Sequence, residues 1–205
     1  ITLIKYDFTG VIFDLDNTLV SSSLNFSHIR SVVGCPSDRD ILSYIDSLPL
    51  KEKVNVQKII HEYEMEDARN ATILPGSQAV LDTLKHLHIP FAVVTRNHKK
   101  TAVLKIENNH LKVPLLLTRD DLNAKPSPDA VLFLAEYWQI QPKKLLCVGD
   151  YLYDIEMANN ANALSCLVSY GHELPYTTLA SFVVNNLMEL RDIVAKSYDV
   201  KTRNV

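Results

Sequence analysis

The sequence lacks the features of a membrane protein or of a protein with a thiolate metal site. Its 205 residues include three cysteines, Cys35, Cys147 and Cys166, whose spacing matches no common metal-binding pattern. No apolar run approaches the ~20 residues that a membrane-spanning helix needs, and the first residues lack the basic and then apolar layout of a secretory signal. We therefore expect no membrane partner and a cytoplasmic location, where reduced thiols persist.

An excess of positive charge is also missing. The chain carries 21 lysines and arginines against 24 aspartates and glutamates, which gives a net charge of -3. Because binding to nucleic acid needs clustered basic residues, we expect no nucleic-acid partner. The hydrophobic fraction of 47% is typical of a globular protein, and the length allows one buried core with or without a small appended subdomain.

Short apolar runs alternate with amphipathic segments over much of the chain. The runs are apolar throughout, which is typical of strands covered on both faces, and they lie at residues 10–15, 91–95, 114–118, 144–149, 164–169 and 182–184. The amphipathic segments predict helices at residues 76–88, 99–110, 127–139, 153–161 and 186–195. This alternation predicts an α/β fold, a Rossmann-like core of three layers with a parallel sheet in the middle. Cys147 and Cys166 fall inside strand runs, so we expect them to pack rather than react.

One interval interrupts this alternation, because residues 21–73 contain amphipathic helical patterns and no strand signal. We predict a small all-helical subdomain at residues 21–74, inserted into a core made of residues 1–20 and 75–205. The serines after Val20 and the Pro75-Gly76 pair mark its two ends. We interpret its acidic stretch HEYEMEDAR (residues 61–69) as a solvated helix face and place Cys35 in a polar helical region. Residues 200–205 are expected to form a frayed tail.

Two carboxylates end the first strand run, in the stretch VIFDLDNTLV. Side chains alternate along an extended backbone, so Asp14 and Asp16 point to the same side and repel each other. Ligands of parallel α/β sheets collect beyond the carboxyl ends of the strands, where Asp150 follows the fourth run. A cluster of carboxylates needs a shared proton or a cation, and an all-oxygen set suits Mg²⁺. The sequence therefore predicts a magnesium site at this edge of the sheet.

Four short motifs, FDLDNTLV, VVTRN, KPSPD and GDYLYD, occur in that order at or after the strand runs. Together they resemble the four motifs of the haloacid dehalogenase superfamily of aspartate-nucleophile phosphohydrolases, in particular its phosphoglycolate phosphatase-like members. The resemblance covers residues 11 to about 184, and the helical insert corresponds to the first-position cap of that family.

The resemblance implies a reaction and roles for the motif residues. Asp14 would attack phosphorus to form an aspartyl-phosphate, and Asp16 would act as general acid and then as general base. Thr95 would bind the phosphoryl oxygens, and Lys125 would offset the negative charge of nucleophile and substrate. An acid at position 16 favours phosphate esters over halides as substrates, because a departing alcohol needs a proton whereas a halide does not.

The resemblance also implies the metal ligands. Asp14, Asp150 and the backbone carbonyl of Asp16 would hold Mg²⁺, while Asp154 would orient that set or Lys125. The expected activity is Mg²⁺-dependent hydrolysis of a small phosphorylated metabolite, by a monomer or small homo-oligomer. A phosphomutase of the same superfamily and a catalytically idle regulatory binding protein with the same fold remain as alternatives.

Several residues keep two interpretations. Arg96 and Asn97 either bind substrate or serve local structure, Asn97 as the N-cap of the next helix. Asp154 is also a helix first-turn acid, which the helix dipole favours without any catalytic role. In the insert, Arg30 either reaches a second anionic group of the substrate or is solvated, and His28 is a site residue or a surface histidine.

Three positions depart from the family pattern. Asn17 and Asn162 replace glycines, and asparagine is the substitute that best tolerates a left-handed backbone. Tyr151 replaces a small residue and either narrows the site or contacts substrate. The insert also contains three lysines, which suggest the phosphonatase branch of the family, because that branch uses a cap lysine to form a Schiff base. They are Lys51, Lys53 and Lys58, and no feature of the sequence distinguishes one of them.

Overall fold

The computed structural model describes the backbone of residues 7–202 and the side chains of residues 7–198. Its centre is one sheet of six parallel strands in the order β3-β2-β1-β4-β5-β6. The strands are β1 (Gly10–Phe13), β2 (Phe91–Val94), β3 (Leu116–Leu117), β4 (Leu145–Gly149), β5 (Leu164–Val168) and β6 (Phe182–Val184). Each predicted strand run contains one of them, so the predicted parallel α/β fold is confirmed.

Eight α-helices accompany the sheet within the described residues. They are α1 (Phe26–Val33), α2 (Ile41–Asp46), α3 (Leu50–Asn70), α4 (Ser77–His86), α5 (Lys99–Asn108), α6 (Asp129–Trp138), α7 (Leu152–Asn160) and α8 (Leu187–Thr202). Helix α8 extends beyond its predicted end at residue 195, so the predicted frayed tail is wrong for residues 200–202, and residues 203–205 lie outside the described part. Between residues 7 and 202, we find no helix with the length and apolar content needed to cross a bilayer.

Alternate residues of the strands face two separate apolar layers. Val11 and Phe13 of β1 pack with α4 and α8, whereas Ile12 packs with α6 and α7 on the other face. Helices therefore cover both faces, which explains why the strand runs are apolar throughout. Cys147 and Cys166 are 1% exposed and lie in these two layers, and burial raises the pKa of each thiol. Their predicted packing position is confirmed.

The helices between Phe26 and Asn70 form an insert with its own apolar core, built around Ile29, Ile41 and Ile60. Cys35 is buried in this core, so its predicted place in a polar helical region is wrong. The chain enters and leaves the insert side by side, where the Ser21 amide donates to the Thr72 carbonyl at 2.7 Å. The predicted helical insert is confirmed, and its limits at residues 21 and 74 stay a prediction, as do the core limits 1–20 and 75–205.

Ion pairs join the insert to the sheet domain. Lys105 of α5 contacts Asp67 of α3 at 2.6 Å, and Arg119 contacts Glu64 of α3. Glu64 and Asp67 are each 5% exposed. The interpretation of residues 61–69 as a solvated face is therefore wrong for these two acids, because α3 turns them toward basic residues of the sheet domain.

Asp40 makes a third ion pair between the insert and the sheet domain. One of its oxygens accepts from the Ser43 amide and caps α2, and the other lies 2.5 Å from the Arg96 guanidinium. Burial acts to raise the pKa of Asp40, but the Ser43 and Arg96 contacts outweigh it and leave the pKa below the ordinary value of 3.8. Asp40 therefore stabilises the folded protein above about pH 4 and loses this contribution as the pH falls through its folded pKa.

Two asparagines have the left-handed backbone that their replacement of glycine predicts. Asn17 follows the two carboxylates of the first strand end with φ 55°, and Asn162 follows α7 with φ 56°. Asparagine occupies this region more readily than most non-glycine residues, because its short polar side chain can bond locally. Both turns are thus formed in this chain without glycine.

The Gly76→Ala substitution tests the contact between α4 and α8. Gly76 has φ 88°, and an added Cβ would lie 2.9 Å from the backbone nitrogen of Met188. We expect a loss of roughly 2–4 kcal/mol in the free energy of unfolding, from left-handed strain plus overpacking. Urea denaturation measures it.

Gly171→Ala is the matched control, because Gly171 has φ 81° and an added Cβ would meet no atom within 4 Å. We expect it to lose about 1–2 kcal/mol, from backbone strain alone. Equal losses in the two variants would contradict a close α4–α8 contact at Gly76.

The Asp40→Asn substitution tests the pH dependence. Asparagine can keep the cap of α2 but removes the charge, so we expect a loss of about 1 kcal/mol at pH 7 that shrinks as the pH approaches 3. Urea denaturation across this pH range measures it. Asp46→Asn, at a more exposed carboxylate paired with Lys53, serves as control, and a loss for Asp40→Asn that does not change with pH would oppose the assignment.

Candidate active site

The polar residues that follow three neighbouring strands meet at one edge of the sheet. Strand β1 lies between β2 and β4, so Asp14, Thr95 and Asp150 follow adjacent strands. The chain order reverses at this point, since β2 and β3 lie on one side of β1 and β4 to β6 on the other. Such a switch point opens a crevice at the carboxyl ends of the strands.

Three carboxylates form the centre of this edge. Oxygens of Asp14, Asp150 and Asp154 all lie within 4.8 Å of one another. Burial, followed by the charges of Asp14 and Asp154, raises the pKa of Asp150 above the ordinary range. The three carboxylates carry more negative charge than one neighbouring lysine can offset, and their donor atoms are all oxygens. Such a set fits a hard divalent cation such as Mg²⁺.

Lys125 is the cation within this cluster. Its side chain is 4% exposed, and its Nζ donates to Asp14 and, at 2.7 Å, to Asp154. Burial acts to lower the pKa of Lys125, but the charges of the two aspartates outweigh it and raise the pKa above its ordinary value. Lys125 is therefore held in the charged form, next to Asp14, the carboxylate that the family resemblance predicts as the nucleophile.

Asp154 fits both interpretations that the sequence left open, since it contacts Lys125 and also lies in the first turn of α7. Its Oδ1 accepts from Lys125, whereas its Oδ2 accepts from the Tyr151 amide at 3.2 Å and so caps α7. The helix cap fixes the carboxylate, and the carboxylate then orients the lysine. One of its oxygens also lies in the three-carboxylate cluster, although the sequence predicted it behind the metal ligands.

The Asp16 carboxylate is held by different partners. Its Oδ1 lies 2.5 Å from the Lys105 ammonium, and its Oδ2 accepts from the Asn97 amide group at 2.8 Å. Burial raises the pKa of Asp16 to about 6, against the lowering effect of Lys105 and with a further increase from the charge of Asp14. The helix-capping alternative for Asn97 is wrong, because His98 caps α5.

Lys105 is the site residue that sequence reasoning missed. Its side chain is 0% exposed, whereas Lys99 and Lys100 of the same helix are exposed. Helical spacing carries the signal, since Lys105 lies one turn after Thr101 on the buried face of α5. A lysine on a buried face requires a carboxylate partner, and two are present here.

A cavity of about 340 Å³ opens above these residues, between the insert and the sheet domain. Its walls are polar near the strand ends and apolar on the insert side, where Leu24, Ile29 and Ile41 line it. Thr95 lies at the base of the cavity and is 4% exposed. Tyr151 also lines the cavity and is half exposed, consistent with either of its predicted roles.

Two arginines of the cavity wall differ in their contacts. The Arg96 guanidinium pairs with Asp40, lies 4.6 Å from the centre of the Tyr153 ring and donates to the Lys125 carbonyl. Arg30 also lines the cavity, and its buried Nε has no hydrogen-bond partner. Arg30 is thus a cavity-lining arginine with one buried donor that no described group satisfies.

Other insert residues lie away from the cavity lining. His28 is exposed and contacts the Tyr63 hydroxyl at 3.1 Å, which confirms its interpretation as a surface histidine. Lys53 pairs with Asp46, and Lys51 and Lys58 are exposed. Among the described residues, none of these lysines lines the cavity, so no contact supports a Schiff-base role.

The sequence matches the family model described as haloacid dehalogenase-like hydrolase over residues 21–168. The matched segment includes Thr95, Lys125, Asp150 and Asp154, and Asp14 and Asp16 precede it. The motif order deduced from the sequence and the family model therefore point to the same group of proteins.

Individual relatives are similar to this chain in sequence, and a solved structure is similar to it in fold. A haloacid dehalogenase-like hydrolase domain-containing protein of Arabidopsis thaliana is 28% identical, over 93% of this chain and 85% of its own length. A phosphoglycolate phosphatase of Chromobacterium violaceum is 28% identical, over 90% and 96%. The crystal structure of a predicted phosphoglycolate phosphatase from Haemophilus somnus covers 91% of this chain and 98% of its own, with a TM-score of 0.72 and 24% identity. Since the family model matches more than half of the chain, the chain belongs to the haloacid dehalogenase-like hydrolases.

Proposed function

We propose that this protein is a Mg²⁺-dependent phosphomonoester hydrolase that acts on a small phosphorylated metabolite through an aspartyl-phosphate. The observation that carries the proposal is the contact of the Asp14 carboxylate with Lys125 at the edge where Asp150 and Asp154 converge. A carboxylate without a neighbouring cation would repel a phosphate dianion. Here a charged lysine offsets that repulsion, and the cavity above is of a size suited to a small substrate.

The first step transfers the phosphoryl group to the protein. A carboxylate oxygen of Asp14 attacks phosphorus, the bond from phosphorus to the ester oxygen breaks, and protonated Asp16 gives its proton to the departing alkoxide. Thr95 and Lys125 hold the phosphoryl oxygens during this transfer. The pKa of Asp16, about 6, leaves part of the population protonated near neutral pH.

The second step regenerates the protein. Asp16, now a carboxylate, takes a proton from water as the water oxygen attacks phosphorus. The bond from phosphorus to the Asp14 oxygen breaks, inorganic phosphate leaves, and Asp14 and protonated Asp16 are restored. General acid-base catalysis of this type contributes typically ~10²- to 10⁴-fold in rate.

The acidic cluster supports a cation site at this edge of the sheet. Asp14 and Asp150, with the backbone carbonyl of Asp16, would hold Mg²⁺, and Asp154 would orient Lys125 beside them. When bound, the ion supplies charge that offsets the carboxylates and the phosphoryl oxygens. The helical insert lines one side of the cavity, where it would limit the access of bulk water and so strengthen each of these electrostatic contacts.

The Asp14→Asn substitution tests the nucleophile. We expect it to abolish phosphate release, because the amide cannot form the acyl phosphate, while the fold survives as judged by circular dichroism. Release of inorganic phosphate from a panel of metabolite phosphates, with Mg²⁺ present, measures it. Asp38→Asn, at an exposed acid of the insert, serves as control and should retain full activity.

The same panel separates the alternatives. Addition of EDTA should stop the wild-type reaction and excess Mg²⁺ should restore it. Full activity in Asp14→Asn would refute the assignment of the nucleophile. Isomerised sugar phosphate without free phosphate would identify a phosphomutase, and no turnover of any panel member would favour a regulatory binding protein.

The leaving group that we propose carries a second anionic group. Arg30 lines the cavity and its Nε has no partner, whereas Arg96 and Arg119 are already paired with Asp40 and Glu64. An arginine fork suits a carboxylate, and the relative from Chromobacterium violaceum carries the name phosphoglycolate phosphatase. Small phosphorylated carboxylates are therefore the proposed substrate class.

The Arg30→Met substitution tests this class. We expect KM for phosphoglycolate to rise about 10- to 100-fold, the value of one charged hydrogen bond, with little change for 4-nitrophenyl phosphate, which has no second anion. Steady-state kinetics measure both esters. Arg69→Met, at an exposed arginine of α3, serves as control, and an equal effect on both esters would contradict the assignment of Arg30.

A further inference from the structure

Lys105 connects the candidate active site to the base of the helical insert. Its Nζ lies 2.5 Å from Asp16 Oδ1 and 2.6 Å from Asp67 Oδ2. Its side chain is 0% exposed, and that of Asp67 is 4% exposed. Burying an ammonium group is energetically costly without compensating contacts. The buried position of the Lys105 ammonium therefore depends on both carboxylates being in contact with it.

Asp67 is itself anchored at the point where the chain enters the insert. Its Oδ1 accepts from the Ser23 amide at 2.6 Å, and its Oδ2 accepts from the Ser22 hydroxyl at 2.9 Å. The ammonium therefore rests on a carboxylate that the backbone fixes. Little freedom remains for Nζ to move away from Asp16.

The two donors on Asp16 leave it able to react. Lys105 occupies one site on Oδ1, and Asn97 occupies one site on Oδ2. A carboxylate offers about four acceptor sites, so each oxygen retains a free lone pair for the transferred proton. With both oxygens held, rotation of the Asp16 side chain is restricted, as productive acid-base catalysis requires.

We propose that Lys105, anchored by Asp67, is the positioning residue that holds the Asp16 carboxylate in place for proton transfer. This rests on the proposed function, in which Asp16 protonates the leaving group. Lys105 contacts Asp16 and is not among the described residues that line the cavity, so it would act through Asp16 rather than on the phosphoryl group. Its loss should therefore affect the substrates that need a proton and spare those that do not.

The test compares an ester whose alkoxide needs protonation with one whose leaving group does not. Phosphoglycolate is the first and 4-nitrophenyl phosphate the second. The ratio kcat/KM reports only the steps through loss of the leaving group, so the later attack of water does not enter. We expect Lys105→Met to lower kcat/KM about 10- to 100-fold for phosphoglycolate and less than about 3-fold for the aryl ester.

Control variants separate positioning from folding. Lys100→Met removes an exposed lysine of the same helix and should behave as wild type, and Asp16→Ala should show the same selective loss as Lys105→Met. If Lys105→Met fails to fold, the double variant Lys105→Met with Asp67→Asn removes the unpaired buried charge on the insert side. The same selective loss is expected from it.

The outcomes are distinct. An equal loss of kcat/KM on both esters, or no loss on either, would overturn the positioning role of Lys105. The proposed function would still stand in that case, provided that the wild-type protein turns over and the Asp14→Asn variant is inactive. Wild-type protein that releases phosphate from neither ester would instead count against the proposed function itself.

Discussion

The crowding of carboxylates at one edge of the sheet is the constraint on which the rest of the structure depends. Asp14, Asp150 and Asp154 lie within 4.8 Å of one another, and Lys125 contacts two of them. The balance of charge remains negative, so the edge favours a divalent cation and, with it, a phosphate dianion. The folded core, with apolar layers on both faces of the sheet, holds these like charges together.

The same arrangement occurs twice. Lys125 lies between Asp14 and Asp154, and Lys105 lies between Asp16 and Asp67. In each pair of contacts, one carboxylate belongs to the first strand end and the other is fixed by a backbone amide. Because buried ion pairs add little net stability, we interpret both lysines as groups that position the carboxylates rather than as groups that stabilise the fold.

Three ion pairs contribute to the contact between the insert and the sheet domain. Asp40, Glu64 and Asp67 come from the insert, and each meets a basic residue of the sheet domain. Glu64, Asp67 and Lys105 are buried, so breaking these pairs would leave uncompensated charges, and the pairs hold the base of the insert against the sheet domain. The insert keeps its own apolar core, separate from the two layers that cover the sheet.

The sequence by itself determined the parallel α/β fold, the helical insert and the motif residues at the strand ends, because apolar runs and strand-end acids are local patterns. The left-handed turns at Asn17 and Asn162 were likewise readable from single positions. Only the tertiary structure decided which charges meet. Glu64 and Asp67 look solvated in their own helix, since their partners lie tens of residues away. Helical spacing places Lys105 on the buried face of α5 but does not identify its partners. The pairing of these distant charged side chains depends on how α3 packs against the sheet domain, in particular against α5, and local sequence patterns do not predict this packing.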